Sequence, residues 1–525
     1  MIGRGNYAAN GQKASRSVLL GRGRHGRSHL RILLGAIIYW IMCSCAHSTD
    51  LPSGQMGANA FDLVRQFTGR AGGGDGSPPW LRITRAMGVK SILDARDAGF
   101  TFVRVPAAGF GPSWPDSPVQ NDLALWQADP SKWWSDVDLM FDELDRAGIR
   151  LVPSLLFNLI QFPSLESETV TTFLTDPRSR SRDLAKQFIS EFISRYRARK
   201  TILFYEMGNE FNNGEDMDLE GRCVKQSGRD SPVCRSTGNY STDALIAFSR
   251  DIVALIKRQD PTRGVSSGFG LPRPAATHLI RRPEFAGGPD WTPDSMAEFT
   301  DLMLKMHAPF DIVSLHLYPV DVRPELSAYR EIDMVDIIAR LFHPLGKKVF
   351  IGEFGGPDGA PLFGDVANAV GQGMADYAAI WVWEFYQAST HQSPDLEGRD
   401  YRIEPGHGEQ SMAMLRSALT APPVGPEPRV VLTWPLPCAT VNQPIDLYAV
   451  ASVGAKLPSK VEFLVDGQSV GVVTSPPYQL RFDPSHLGAR VAAVEARAYG
   501  RDNSVATFKS SVRFNQTTDA CEIGQ

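Results

Sequence analysis

The sequence predicts a parallel (β/α)8 barrel followed by a small all-β sandwich. Three observations support this fold class. The length of 525 residues suits one large barrel and one small domain. Short apolar segments alternate with amphipathic helical patterns over most of the chain. After a proline-rich segment the pattern changes to short alternating strands with turn signals. Apolar residues make up 43% of the chain, which is ordinary for a globular protein.

The barrel is predicted over residues 57–419. Eight candidate strands lie at 58–61, 101–105, 149–155, 202–207, 264–269, 312–317, 348–352 and 379–383. Helical periodicity is clearest at 132–147, 181–197, 242–259, 295–306, 333–342, 365–376 and 410–419. Strands joined by helices pair in parallel, and eight of them can close into a barrel. The first strand has the weakest signal because its surroundings are rich in glycine.

Residues 421–429, APPVGPEPR, form a proline-rich linker that is expected to hold two domains apart as a semi-rigid spacer. Beyond it, an Ig-like β-sandwich is predicted over 430–521, with a hairpin turn at Asp466-Gly467. This segment is similar to the bacterial Ig-like modules of secreted polysaccharide enzymes. No aromatic row is evident in its sequence, which favours a spacer or packing role over sugar binding.

Residues 1–46 are interpreted as a secretory or lipoprotein signal. The chain up to Thr49 carries seven basic residues and no acidic one, and the apolar run 32–42 precedes small residues, as in cleaved export signals. The run is shorter than the about 20 residues of a membrane span, although an uncleaved anchor is an alternative. Cys45 lies in a loose lipoprotein box, so a lipid anchor at Cys45 and plain cleavage near Ala46 both stay open. A secreted, periplasmic or cell-surface location is expected.

Charge and cysteine content narrow the class further. The formal net charge is -4, and without the leader 47 basic residues face 58 acidic ones, which favours neither nucleic acid nor an anionic membrane as a partner. Four cysteines follow the leader. Export and the even count predict two disulfides, Cys223–Cys234 and Cys438–Cys521. Their spacing does not suit zinc.

Two glutamates stand at the ends of apolar strands. The segment 202–211, ILFYEMGNEF, ends its apolar run at Asn209 and Glu210, and the run before Glu353 ends in the same way. A strand-end carboxylate is often only a surface residue or a helix cap. Two of them at one barrel rim, however, are what hydrolysis of a glycosidic bond requires, because one can protonate the leaving oxygen while the other attacks the sugar carbon or activates water.

Further polar side chains follow the same pattern. His316 and Tyr318 lie two residues apart at the end of one strand, so they can project together. Trp383 ends the last strand. Arg104 stands alone among apolar neighbours in the second strand, and a buried guanidinium requires a carboxylate partner.

With these elements, residues 57–419 resemble the retaining glycoside hydrolases of the cellulase-like family five and its clan. The resemblance implies Glu210 as general acid/base and Glu353 as nucleophile. Asn209 would then donate to the sugar 2-hydroxyl, and Tyr318 would hold Glu353. In this reading Glu353 stays charged and nucleophilic, whereas Glu210 requires a raised pKa.

The resemblance also implies that Arg104 and His316 orient the carboxylates and that Trp383 offers a platform for a sugar face. One feature departs from the family. Many members have a histidine near the end of the third strand, whereas Asn158 is the polar candidate here. The subfamily and the substrate therefore stay open. Trp114 and Trp126, in the loop after the second strand, are candidates for stacking on sugars or for packing.

The sequence thus predicts an exported, monomeric, retaining glycoside hydrolase that acts on a β-linked polysaccharide and requires no metal or organic cofactor. An endo-type enzyme on β-glucan, mannan or exopolysaccharide is the first expectation. The alternative is a noncatalytic glycan-binding or matrix protein on a barrel scaffold. A serine hydrolase would rest on the G-x-S-x-G match around Ser266, which lacks the helix that this motif requires directly after the turn.

Overall fold

The structure is a computed structural model of the chain. The predicted leader with Cys45, the segment 420–427 and Trp114 lie outside the part of the chain that it describes. The described residues are 55–68, 84–109, 111, 121–227, 232–319, 321–384, 401–419, 428–435, 438–453, 458–474, 478–500, 504–515 and 521.

Eight parallel strands form a closed barrel in chain order, which confirms the predicted fold class. The strands are β1 (Gln55–Asn59), β2 (Phe102–Pro106), β3 (Arg150–Leu156), β4 (Tyr205–Gly208), β5 (Val265–Ser266), β6 (Ile312–Leu317), β7 (Lys348–Phe354) and β8 (Tyr377–Ile380).

Helices connect the strands on the outside of the barrel. They are α1 (Leu63–Thr68), α2 (Arg85–Asp97), α3 (Leu123–Ala128), α4 (Pro130–Ala147), α5 (Gln161–Glu166), α6 (Val170–Thr175), α7 (Arg180–Tyr196), α8 (Leu219–Ser227), α9 (Pro232–Ser236), α10 (Thr242–Gln259), α11 (Ala276–Arg281), α12 (Met296–His307), α13 (Glu331–Phe342), α14 (Pro361–Gly371) and α15 (Glu409–Leu419). None of the helices in the described ranges is long and apolar enough to cross a membrane.

Local sequence signals set several helix ends. The side chain of Asp129 accepts a hydrogen bond from the backbone of Lys132 at 2.9 Å and caps α4, with Pro130 at the first helical position. The same helix ends at Gly148, whose φ of 71° lies in the left-handed region that glycine adopts at little cost. At α12, Ser295 and Glu298 form a capping box.

The barrel interior changes from apolar to polar along the strands. An apolar cluster fills its lower part: Phe102, Val152, Leu203, Phe204, Ile312, Phe350, Tyr377 and Ala379. Since strand residues two apart face the same side, the next inward layer after Phe102, Val152 and Phe204 contains Arg104, Ser154 and Glu206. All three are completely buried. Charged groups therefore lie within the barrel, directly below the carboxyl ends of its strands.

The chain after 427 forms the predicted sandwich. One sheet has the order β10-β16-β15-β12-β13 and the other β14-β11-β9. These strands are β9 (Pro428–Trp434), β10 (Thr440–Val441), β11 (Ile445–Val453), β12 (Lys460–Val465), β13 (Gln468–Val473), β14 (Tyr478–Phe482), β15 (Arg490–Tyr499) and β16 (Val505–Phe514). Asp466 and Gly467 join β12 to β13, and both have a positive φ, as a two-residue hairpin of the primed type requires.

Both predicted disulfides are present. Cys223 and Cys234 join α8 to α9 with a Cα–Cα distance of 5.5 Å, and Cys438 and Cys521 are 5.6 Å apart at the two ends of the sandwich. Both distances are typical of disulfides.

The sandwich contacts the barrel directly. Tyr448 of β11 is 5% exposed and belongs to the apolar core of the barrel, against which Trp434 also packs. The expectation that a linker holds the two domains apart is therefore wrong for the part of the chain that the structure describes, because β11 rests on the barrel helices.

Candidate active site

The two predicted carboxylates lie at the carboxyl ends of their strands. Glu210 follows β4 in a left-handed conformation with a φ of 52°, and its backbone N–H donates to the carbonyl oxygen of Gly268 at 2.8 Å. Glu353 lies within β7 and is 3% exposed. One oxygen of each carboxylate and one nitrogen of His316 all lie within 4.8 Å of one another. The structure thus brings the two glutamates and the histidine into one site.

His316 lies between the two carboxylates. Its Nδ1 is 2.8 Å from Oε1 of Glu210 and 3.5 Å from Oε2 of Glu353. Burial disfavours the charged imidazole, but the charges of Glu353 and Glu210 outweigh burial and raise the pKa of His316. For Glu210, burial is likewise outweighed by the hydrogen bond and charge of His316, which lower the pKa of the carboxyl.

These directions correct one expectation. A raised pKa was expected for Glu210 itself, whereas the pKa of Glu210 is lowered and that of His316 is raised. The reason is the 2.8 Å contact, since an opposite charge at that distance favours ionisation of the carboxyl. Glu210 and His316 therefore each set the pKa of the other.

Tyr318 lies beside Glu353. Its hydroxyl donates a hydrogen bond to Oε2 of Glu353 at 2.7 Å. Burial, followed by the charges of Glu353 and Glu210, holds the pKa of Tyr318 well above its usual value. The phenol therefore stays protonated and serves as a permanent donor to Glu353.

Arg104 is the centre of the polar network and is completely buried. Its Nη1 donates to Oε1 of Glu353 at 2.9 Å and to Oδ1 of Asn59 at 2.9 Å. Its Nη2 donates to Oδ1 of Asn209 at 2.6 Å. Burial opposes the charge, but Glu206 and Glu353 outweigh it, so the pKa of Arg104 is raised and the group stays charged.

Two members of this network were missed by sequence reasoning. Glu206 accepts from Nε of Arg104 at 2.8 Å, and Asn59 donates through Nδ2 to the carbonyl oxygens of Gly352 and Ile380 at 3.0 Å each. A carboxylate partner for Arg104 was expected, and Glu206 offered a signal because it stands in a strand with an otherwise apolar flank. Asn59 gave none, since it ends a strand with a weak pattern.

Asn209 is half-buried next to Glu210. Its Oδ1 accepts from Arg104, which orients the amide so that Nδ2 has no partner among the described residues. This leaves a donor free beside Glu210.

Trp383 does not offer a platform, which corrects the prediction. It is 2% exposed, its indole N–H donates to the carbonyl oxygen of Ser91 at 3.2 Å, and its ring packs edge-on against Phe100 at 5.3 Å. The predicted strand was too long, because β8 ends at Ile380 and the alternation of faces ends with it.

Trp381 takes the place expected of Trp383. It keeps part of its surface exposed, its backbone N–H donates to the carbonyl oxygen of Phe354 at 2.7 Å, and its ring lies edge-on to Phe61 at 4.8 Å. Phe354 directly follows Glu353 in β7. Trp381 is therefore the partly exposed aromatic residue at the end of β8, and its backbone pairs with the residue that follows Glu353.

Three further candidates from the sequence are Asn158, Trp126 and Ser266. Asn158 follows β3, is half-buried, and accepts from the backbone of Gln161 through its carbonyl oxygen at 3.1 Å. Trp126 is 1% exposed and donates to Glu191 at 2.9 Å, so it is a packing residue. Ser266 of the elbow-like motif is completely buried on β5, which excludes it as an accessible nucleophile.

Among the residues that the structure describes, two groups of side chains are close enough to hold a metal ion. Glu210, His316 and Glu353 form the first, but both oxygens of Glu353 already accept hydrogen bonds, from Arg104 at 2.9 Å and from Tyr318 at 2.7 Å. His278, Asp294 and Glu298 form the second. Their carboxylates are engaged as helix caps, since Asp294 accepts from the backbone of Thr277 at 2.9 Å.

A family model described as a bacterial Ig domain matches residues 428–496, which confirms the predicted Ig-like domain. No curated protein matches the chain. Solved structures similar to it include the endo-β-1,4-mannanase from Thermotoga petrophila, at 15% identity and a TM-score of 0.43, over 89% of this chain and 99% of that chain.

The glycoside hydrolase family 5 mannosidase from Rhizomucor miehei is similar at 14% identity and a TM-score of 0.43, over 70% of this chain and 94% of that chain. A trimodular GH5_4 subfamily endoglucanase is similar at 14% identity and a TM-score of 0.37, over 89% and 78% of the two chains. The assignment of a barrel rests on the strand pairing described above, and that of the chemistry rests on the side chains.

Proposed function

We propose that this protein is an exported retaining glycoside hydrolase that cleaves β-linked polysaccharide by double displacement. The observation that carries the proposal is the approach of Glu210 and Glu353 at the rim of the barrel, with oxygens within 4.8 Å of one another. Carboxyl groups about 5 to 5.5 Å apart suit a retaining enzyme, whereas inverting enzymes keep about 6.5 to 9.5 Å between them to admit a water molecule.

In the first step Oε2 or Oε1 of Glu353 attacks the anomeric carbon, and the bond to the leaving oxygen breaks. The hydrogen bonds from Arg104 and Tyr318 hold the carboxylate in one orientation for this attack. Such fixed geometry lowers the entropic part of the barrier. A glycosyl ester on Glu353 and a free sugar hydroxyl result.

The leaving oxygen takes its proton from Glu210, which draws on the proton it shares with His316. The Nδ1–Oε1 distance of 2.8 Å lets that proton pass between the two groups. In the second step Glu210 removes a proton from water, the water oxygen attacks the anomeric carbon, and Glu353 leaves as a carboxylate. The shared proton is then restored, so the cycle closes.

Substrate contacts are assigned to Asn209 and Trp381. The free Nδ2 of Asn209 can donate to a sugar hydroxyl, and the partly exposed indole of Trp381 can pack against the apolar face of a sugar ring. An endo-type action on β-glucan, mannan or exopolysaccharide follows from the resemblance stated above. The two disulfides support export, because they form in oxidising compartments.

The proposal is tested with purified protein against β-glucans, mannans, xylans and bacterial exopolysaccharides. Release of reducing ends with retention of configuration by product NMR is the expected result. A 2-deoxy-2-fluoro aryl glycoside of the active sugar should label Glu353 and no other residue. Inversion at the anomeric carbon, or a label on another residue, would refute the mechanism. N-terminal sequencing of protein recovered outside the cytoplasm should begin near His47 or at a lipidated Cys45.

Substitutions separate the two carboxylates. Glu353→Ala should lose at least about 10⁴-fold in kcat, because no glycosyl ester can form. Glu210→Ala should keep its first step on an activated aryl glycoside and should give a β-glycosyl azide with azide. Asp97→Ala, on a carboxylate that is 64% exposed, is the control and should be unchanged. A noncatalytic glycan-binding protein would instead show polysaccharide binding without turnover in the unaltered chain.

A further inference from the structure

Glu206 is a third carboxylate of this site that the mechanism above does not use. It lies on β4, four residues before Glu210, and is completely buried. Its register partners on the neighbouring strands are Ser154 and Ser266, which are neutral. The only cation that faces it among the described residues is Arg104.

Arg104 is divided between two carboxylates. Its Nε and Nη2 both reach Oε1 of Glu206, at 2.8 and 2.7 Å, while Nη1 reaches Oε1 of Glu353 at 2.9 Å. With the bonds to Asn59 and Asn209, every N–H of the guanidinium has an acceptor. Arg104 therefore cannot turn further toward Glu353 while Glu206 holds it.

This arrangement limits how strongly Arg104 stabilises the negative charge of Glu353. A buried guanidinium that faced Glu353 alone would strongly stabilise the negative charge of that carboxylate. A carboxylate that is stabilised in this way is a weaker nucleophile. With Glu206 in place, the charges of Arg104 and Glu206 cancel, and Arg104 orients Glu353 by a hydrogen bond with little net charge behind it.

On this basis, and resting on the proposed function, we propose that Glu206 is a positioning residue whose negative charge, acting through Arg104, keeps Glu353 nucleophilic. A purely structural anchor would need only an acceptor for two N–H groups, which a glutamine amide oxygen also provides. Charge and shape can therefore be separated by two variants, Glu206→Gln and Glu206→Asp.

The charged groups around this network are Arg104, Glu353, Glu210 and His316, together with Asp321, which accepts from the backbone N–H of Tyr318 at 2.7 Å and interacts with the charges of Glu210 and His316. Gly268 packs against the carboxyl carbon of Glu206, since a Cβ at this glycine would lie 2.8 Å from Cδ, and its carbonyl oxygen accepts from Glu210. Glu206 thus lies directly behind the acid/base as well as beside Arg104. Loss of its charge should be sensed by His316, which lies among the same groups.

The first readout isolates attack by Glu353. The probes are the 2,4-dinitrophenyl 2-deoxy-2-fluoro β-glycosides of cellobiose, mannobiose and xylobiose, whose leaving group needs no acid. In Glu206→Gln the rate constant of labelling should fall at least tenfold at an unchanged dissociation constant, whereas Glu206→Asp should stay within about threefold of the unaltered protein. Glu495→Gln, a buried carboxylate of the sandwich that is paired with Arg497, is the matched control.

The second readout needs no substrate. NMR titration of the His316 imidazole, assigned by comparison with His316→Gln, should show its pKa lower by about half a pH unit or more in Glu206→Gln, because Arg104 is no longer neutralised. Glu206→Asp should leave it unchanged.

The outcomes are distinct. Equal labelling rates and equal His316 titrations in Glu206→Gln and the unaltered protein would overturn the role of Glu206. Glu206→Gln could fail to fold, in which case Glu206→Asp decides. If Glu206→Asp folds and keeps the negative charge but still loses the labelling of Glu353 and lowers the pKa of His316, the charge role of Glu206 is overturned. Absence of a label on Glu353 in the unaltered protein would overturn the proposed function instead, and the titration of His316 would still decide the charge role of Glu206.

Discussion

Glu215 is a buried carboxyl in the loop that follows the acid/base. It is 4% exposed. Burial, and secondly the charge of Asp216, raise its pKa to about 8. It lines a small cavity together with Asp216 and Arg273, and Arg273 donates to the carbonyl oxygen of Asn212 at 3.4 Å. The loop after Glu210 therefore contains a carboxyl whose pKa of about 8 favours the neutral form at pH 7.

This position gives a stability prediction. Between the ordinary pKa of a glutamate, about 4.3, and about 8, the folded state keeps a proton that the unfolded state has lost. Stability contributed by this group is therefore lost as the pH rises through that range. Glu215→Gln should be more stable than the unaltered protein by up to about 5 kcal/mol at pH 9 and by about 1 kcal/mol or less at pH 5.

Urea unfolding across this pH range measures the difference, with Glu325→Gln as a control for the change in net charge. A constant difference at all pH values would mean that Glu215 does not carry the proton.

At this scale the sequence predicted which side chains stand at the strand ends, but not the charged partners that shift their pKa values. Glu210, Glu353, His316 and Tyr318 could be found because strand ends and residues two apart on a strand are visible in a sequence. The partner that sets the charge of Glu210, and the second carboxylate on Arg104, depend on which strands become neighbours across the barrel. That information arises only when the barrel closes.

At the scale of one element, the end of β8 decides which aromatic side chain faces the site. Trp381 and Trp383 have the same parity in the sequence, so a strand through both would present both to one side. The strand ends at Ile380, and the chain then carries Trp383 to the backbone of Ser91 on α2. A strand end is set by tertiary contacts as much as by the local pattern. The local pattern alone therefore favours Trp383, whereas the partly exposed side chain is that of Trp381.

Substitution of Trp381 should affect activity, whereas substitution of Trp383 should affect stability. Trp381→Ala should lower kcat/KM on the active polysaccharide at least tenfold with little change in stability, because it removes a surface beside the carboxylates. Trp383→Ala should cost about 3 to 5 kcal/mol in stability, because it leaves a cavity in the core. Steady-state kinetics and thermal unfolding of both variants provide the test. A stable Trp383→Ala protein with impaired binding would contradict the assignment.

The fifth strand is a second element whose end could not be predicted from the local sequence. The segment 264–269 was predicted as a strand, whereas β5 has only two residues, because Gly268 turns the chain with a φ of 69°. A glycine next to apolar residues fits both a strand and a turn. Its local sequence alone could not decide between them.

At the scale of the whole molecule, the sandwich acts as part of the barrel surface. Tyr448 and Trp434 pack on the core that the barrel helices enclose. Burial raises the pKa of Tyr448 to about 12, so its hydroxyl stays neutral in this contact. The number of domains and their classes could be predicted from the sequence, whereas the contact could not, because two aromatic residues on a sandwich strand look the same whether they face its own core or a neighbour.

This contact should make the two domains unfold together. Tyr448→Ala removes a buried aromatic ring and should cost about 3 to 4 kcal/mol, and calorimetry should then resolve two transitions in place of one. Val472→Ala, at a side chain that is 46% exposed on β13, is the control and should leave a single transition. Two transitions in the unaltered protein would show that the domains are energetically independent.

Gly268 limits how the sequence of this chain can change over time. A side chain at this position would overlap the carbonyl oxygen of Gly208 and crowd the carboxyl group of Glu206. Variants here would be eliminated by selection before any new substrate could be tried. Attempts to alter a sugar preference by directed evolution should therefore leave Gly268 unchanged.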